Sequence, residues 1–177
     1  MKLMNIAMPA MLALAVAGCQ TAPRGPINVT QQVYGNVDPK VPANWASLVT
    51  RSGSIAYVCP VESCKEPGAI GYTVAHINAD AEYLVREKVI SAGLLQEMGK
   101  SMTSVTDGRF RQISVRDLTN NKAAGFENAT SVETPAGTFY SVSRVGINNN
   151  ELRVVTGVGK SIAKARQNLR IGLNGVR

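Results

Sequence analysis

The stretch from residue 110 to residue 158 constrains the fold of this chain more than any other. Strand-like segments follow one another there as Phe110–Leu118, Ala124–Val132, Thr138–Ile147 and Glu151–Val158, each bounded by residues that favour turns. The connections carry Asn120-Asn121, Pro135-Ala136-Gly137 and Asn148-Asn149-Asn150, which tolerate positive φ or preset a turn. A parallel crossover needs a dozen or more residues, so these connections predict antiparallel hairpins and a meander.

Upstream, Ser54–Val58 and Gly71–Ile77 read as further strands that pair with each other, separated by a cysteine loop with Pro67-Gly68 at its turn. Between Ala79 and Met102 the residues Ala81, Leu84, Val85, Leu94, Leu95, Met98 and Met102 recur at helical spacing. Gly93 weakens the case for one continuous helix, so this region predicts one or two. Ser161 is placed to cap a final helix whose apolar face is Ile162, Ala165 and Leu169. The fold class expected is therefore α+β: an antiparallel meander with a helical insertion and a C-terminal helix. From Trp45 onward about 130 residues remain, enough for one hydrophobic core.

The N-terminus has a different character. A lysine at position 2, an apolar run from Ile6 to Val16 and small residues before Cys19 form the layout of a secretory signal. The apolar core is too short to span a bilayer. Leu14-Ala15-Val16-Ala17-Gly18-Cys19 resembles the lipobox of bacterial lipoproteins, and the resemblance implies cleavage before Cys19 and a diacylglyceride on its thiol. Two or more acyl chains hold a protein at a membrane stably. Gln20 in second place implies, by the same resemblance, the periplasmic face of the outer membrane in preference to the inner one. Pro23, Pro26, Pro39 and Pro42, set among polar residues, make the segment after it an extended tether. The organisation expected is a signal peptide at 1–18, a lipidated N-terminus and tether at 19–44, and a single α+β domain at 45–177.

With Cys19 lipidated, Cys59 and Cys64 remain, and an extracytoplasmic setting favours a disulfide between them. A redox pair is the alternative, although redox motifs usually place two residues between the cysteines and this pair has four. The only histidine, His76, lacks the partners that zinc or triad chemistry needs. Aromatic residues at 5% are sparse for a sugar or nucleobase platform. Glu62 and Glu66 flank Cys64 in a polar loop and read as solvated. Gly157-Val158-Gly159-Lys160-Ser161 looks like the end of a phosphate loop, but the glycine required upstream is replaced by Val154, inside a strand. No catalytic residue, metal ligand or cofactor is assigned.

Charge supplies the remaining hint. Removing the leader leaves 18 basic and 12 acidic residues, a formal +6. Lys160, Lys164, Arg166, Arg170 and Arg177 gather at the end of the chain, and the fourfold spacing of Lys160 with Lys164 and of Arg166 with Arg170 places each pair on one side of a helix. Such a helix attracts anionic headgroups, an anionic envelope polymer or an acidic face of an envelope protein. Alternatively, its cations only complement the helix dipole. Nucleic acid is not an expected partner.

The order of elements, with Gly137-Thr138-Phe139-Tyr140 running on to Val155-Thr156 and into a last helix, resembles the Mog1/PsbP-like domains. These include bacterial lipoproteins similar to the DcrB family. The resemblance covers the folded part and implies a binding or envelope-assembly role without catalysis. The alternative is an envelope enzyme, a thiol oxidoreductase or hydrolase, working through the loop of Cys59 and Cys64.

Overall fold

The computed structural model describes residues 41–175 except 43, 50–53, 60–63 and 79. The leader, Cys19, the tether up to residue 40, Glu62 and Arg177 lie outside the described residues. The elements are β1 Ala46–Val49, β2 Ile55–Cys59, β3 Gly68–His76, α1 Asp80–Arg86, α2 Ala92–Val105, β4 Phe110–Asp117, β5 Ala124–Thr134, β6 Gly137–Asn148, β7 Glu151–Gly159 and α3 Ile162–Asn174. The α+β class holds: meander, helical insertion and closing helix are all present.

All the strands form one sheet of seven, ordered β1-β2-β3-β7-β6-β5-β4, and every neighbouring pair is antiparallel. The expected pairing of the upstream strands is present, with Ile55 opposite Tyr72 and Cys59 opposite Gly68. What joins that pair to the meander is β7, which lies against β3 along its whole length, from Gly68 opposite Gly159 to His76 opposite Glu151. The β6–β7 turn places Asn149 at φ 50° and Asn150 at φ 63°, the left-handed pair that a two-residue hairpin requires. The helical insertion is two helices. Lys88, at φ 61°, breaks the chain after α1, and Ser91 starts α2 by accepting a hydrogen bond from the Leu94 amide at 3.2 Å. Gly93 falls in the first turn of α2 and interrupts nothing.

Alternation along the strands divides the side chains between two faces. On one face Ile70, Tyr72, Ala129, Val142 and Val155 meet Ala165 and Leu169 of α3. On the other, Ala124, Phe126 and Ile147 pack beneath Val85 of α1, with Ala92 and Leu95 of α2 beside them. The sheet is thus the middle layer, and each helical region covers only part of its own face. Between the apolar residues of the second face, hydroxyls pair across strands: Ser143 with Thr156 at 2.8 Å and Thr130 with Ser141 at 2.7 Å.

The chain leaves β7 through Lys160, and Ser161 caps α3, its hydroxyl accepting from the Lys164 amide at 3.2 Å. The helix then returns over the strand that precedes it. At Gly157 an added Cβ would lie 2.2 Å from both the Ala165 carbonyl oxygen and the Leu169 nitrogen, and at Gly159 it would lie 2.9 Å from the Lys164 Cβ. Those glycines are therefore the floor on which the helix rests, which accounts for the glycine pattern without a phosphate. At the far end the buried Tyr72 hydroxyl donates to the Gly172 carbonyl at 2.9 Å. Burial, with a smaller contribution from Tyr57, pushes the Tyr72 hydroxyl well above the usual tyrosine range, so it remains a donor.

Gly157→Ala is expected to destabilise the protein by about 1–3 kcal/mol, because the clash is with helix backbone and cannot be relieved by a rotamer change. Gly146→Ala, at a position where an added Cβ meets nothing within 4 Å among the described residues, is expected to stay within about 0.5 kcal/mol of the parent. Urea denaturation of the two variants checks the pair.

Candidate binding surfaces

The basic C-terminal run does not form one stripe. Lys160 precedes the cap and is not on the helix. Its ammonium sits 3.7 Å from the centre of the Phe139 ring and donates to the Ala136 carbonyl, clamping the β5–β6 turn. The expected pairing of Lys160 with Lys164 on one helix side is corrected accordingly: a helical spacing has meaning only inside a helix. Lys164 lies in the first turn, with its ammonium 3.6 Å from Glu66. Arg166 and Arg170 are exposed one turn apart and make no ion pair among the described residues. The last turn of α3 carries no basic residue, so these cations do not complement the C-terminal end of its dipole. Glu66, Ser161, Ala163, Lys164, Gln167 and Arg170 line a shallow, open concavity beside the helix.

Cys59 and Cys64 are joined as a disulfide, with Cα atoms 5.9 Å apart. Cys59 is buried at the end of β2, and Cys64 accepts a hydrogen bond from the Asn44 amide at 3.3 Å. His76 is exposed at the end of β3, opposite Glu151, whose carboxylate already pairs with Arg153. Among the described residues no group of three or more His, Cys, Asp or Glu side chains is placed to hold a metal ion.

A charged row that the sequence reading missed crosses the sheet on the α3 face. Arg144 on β6, Glu127 on β5 and Arg116 on β4 are register partners. Arg144 donates to one Glu127 oxygen at 2.9 Å and Arg116 to the other at 3.1 Å. Burial pushes the Glu127 carboxyl up, but the guanidiniums of Arg144 and Arg116 more than reverse this, leaving it below the usual glutamate range. The buried Nε of Arg144 has no hydrogen-bond partner among the described residues. Arg153 on β7 shares this face, two residues along the strand from Val155. The only signal available in the sequence was a charged residue inside each of three separate strands, which means nothing until the register is known.

A second lowered carboxyl lies at the end of β4. Hydrogen bonds from Thr119, joined by Lys88 at 3.1 Å, hold Asp117 down to about 2.

No protein-family model matches the chain, and no curated protein matches it. Among solved structures, cyanobacterial PsbP (CyanoP) from Synechocystis sp. PCC 6803 superposes with a TM-score of 0.52 at 12% identity, covering 85% of this chain and 98% of that one. The fold is PsbP-like. An identity of 12% carries the architecture and no residue roles. Among the described residues, no helix is long and apolar enough to cross a membrane.

Both lowered carboxyls bind protons more weakly folded than unfolded, so each contributes stability above its ordinary pKa that is lost as pH falls through the lowered one. Thermal stability is expected to decline from about pH 4.5 toward pH 2, the interval between the ordinary glutamate value and the Asp117 value. Glu127→Gln should lower the melting temperature at pH 7 and flatten part of that decline. Calorimetry across pH 2–7 checks both, and an undiminished acid slope in the variant would remove Glu127 from this account.

Proposed function

We propose that this chain is a lipid-anchored binding or assembly module of the bacterial cell envelope, held at the membrane through Cys19 and facing the periplasm. The PsbP-like fold is compatible with a non-catalytic binding or assembly role. The observation that carries the binding reading is the α3 face of the sheet. There the charged groups Arg116, Arg144 and Arg153 are fixed beside the helix by ion pairs with Glu127 and Glu151, an arrangement that suits recognition of an anionic partner. The anchor rests on the order of residues in the leader, where small residues precede Cys19. The outer membrane is the favoured surface, on the identity of Gln20.

The second reading, an envelope thiol oxidoreductase or hydrolase, is favoured by one observation, the disulfide itself. Against it, Cys59 is only 5% exposed, whereas a reactive thiol needs access. A structural crosslink suits the position better, because the bond ties the end of β2 to the segment entering β3, where Glu66 meets Lys164.

Cys19→Ser is expected to move most of the chain from the membrane fraction to the soluble fraction and to abolish palmitate labelling. Retention in the membrane with unchanged labelling would defeat the anchor. Replacing Cys59 and Cys64 together by serine is expected to cost about 2 kcal/mol for a loop this short, read as a lower melting temperature, with partner capture in intact cells preserved. Loss of a measurable thiol–disulfide exchange activity at unchanged stability would instead establish the enzyme.

A further inference from the structure

Gly146 lies inside β6 with no evident structural need for glycine. Its φ is not positive, and among the described residues an added Cβ there meets nothing within 4 Å. Gly125, its register partner on β5, differs: a Cβ there would lie 2.1 Å from the Val145 carbonyl oxygen. Glycine in a strand interior costs conformational entropy and packing, and it often marks a place where a ligand or another backbone approaches closely.

The surroundings of Gly146 say what approaches. Arg153 is its register partner on β7, and Arg144 precedes it by two residues on the same face. Arg116 lies two strands further out, on the far side of Glu127. Each guanidinium carries five N–H donors. Arg144 spends one on Glu127 and its buried Nε has no partner among the described residues, while Arg153 spends its Nε on Glu151. Both side chains remain well exposed, 41% for Arg144 and 58% for Arg153. Gly125 is itself buried, whereas Gly146 is half-buried and leaves a strip of backbone without side-chain cover, bounded by Arg144 on one side and Arg153 at its end.

Position selects among anionic occupants. α3 packs on the same face over β3, β7 and β6 and, as a helix with side chains, stands about 10 Å thick. A flat bilayer surface would meet the helix before it reached the strip, whereas an extended chain fits beside it. Planar guanidiniums also match carboxylates in a forked geometry, and Arg116 and Arg144 each give Glu127 only one hydrogen bond, to different oxygens, which leaves further N–H donors on both.

We propose that the strip floored by Gly146 and flanked by Arg144 and Arg153 is the docking surface for an extended, carboxylate-rich segment of a partner protein. This deepens the binding reading above and rests on it, but not on the lipid anchor. The test uses the full chain, labelled with nitrogen-15 and titrated with a fluorescent glutamate-rich peptide. The expected result is saturable, salt-sensitive binding that shifts the Gly125 and Gly146 amides. Gly146→Val should lower the affinity at least tenfold and Arg153→Gln several-fold, with both variants melting as cooperatively as the parent. The double variant Arg166→Gln and Arg170→Gln should bind like the parent. Shifts centred on Arg166 and Arg170 would overturn the sheet site while leaving a binding role standing on α3. Unchanged affinity in Gly146→Val, or no saturable binding, would overturn it outright. Tighter binding to phosphatidylglycerol vesicles, weakened by the same strip variants, would replace the protein partner with lipid. Capture of one protein in intact cells by a photoreactive residue at Asn148, two residues from Gly146 on the same face, but not by one at Lys122, is the expected result for the broader binding reading, and capture of none by either would overturn it.

Discussion

The close approach of α3 to the sheet is the constraint on which the rest of the structure depends. Gly157 and Gly159 remove the side chains that would hold the helix off, and Ala165 and Leu169 fill the space against Ile70, Val142 and Val155. That contact lies where β3, β7 and β6 run side by side, so it braces the junction between the upstream strands and the meander. Burying Leu169 alone contributes about 1.5–3 kcal/mol, and the Tyr72 hydroxyl secures the other end at Gly172. A larger side chain on the floor would cost helix, strand junction and tyrosine contact together.

Because α3 covers only part of its face, the same packing creates the exposed strip beside it. The sheet continues past the helix through β5 and β4 and beyond the row of Tyr72 and Val155. A bare sheet face needs polar cover, and here Arg116, Glu127 and Arg144 supply it as one carboxylate shared by two guanidiniums. Such a row leaves surplus donors by its stoichiometry. Structural cover and an anion-recognising surface are then two descriptions of the same residues, and the unforced glycine at 146 is what separates this strip from ordinary solvated surface.

The sequence was most legible where physics acts over short range. The hairpin turns were readable because Asn149 and Asn150 tolerate the left-handed conformation they adopt, and Ser161 was readable as a cap because capping spans only three residues. The pairing of β2 with β3 and the Cys59–Cys64 crosslink also lie close in sequence. At Lys160 the spacing of four residues to Lys164 carries no helical meaning, because the helix starts after it. Nor was β1 legible, since its Ala46–Val49 segment carries a weak pattern and is a strand because β2 offers it an edge. Exposed Leu94 and Met98 recur at the same helical spacing as the inward-packed Leu95 and the half-buried Met102, so periodicity alone could not choose the buried side of α2.

By itself, then, the sequence determined the local conformations, the α+β succession of elements and the bounds on chemistry set by one histidine and three cysteines, since each of these follows from residues within a few positions of one another or from composition. Only the tertiary structure decided that β7 would lie against β3, that the glycines near the end of β7 serve a helix and not a phosphate, and that Arg116, Glu127, Arg144 and Arg153 would share one face. The physical reason is register: strand pairing brings together residues tens of positions apart, and a slip of one residue would send every one of those side chains to the opposite face of the sheet.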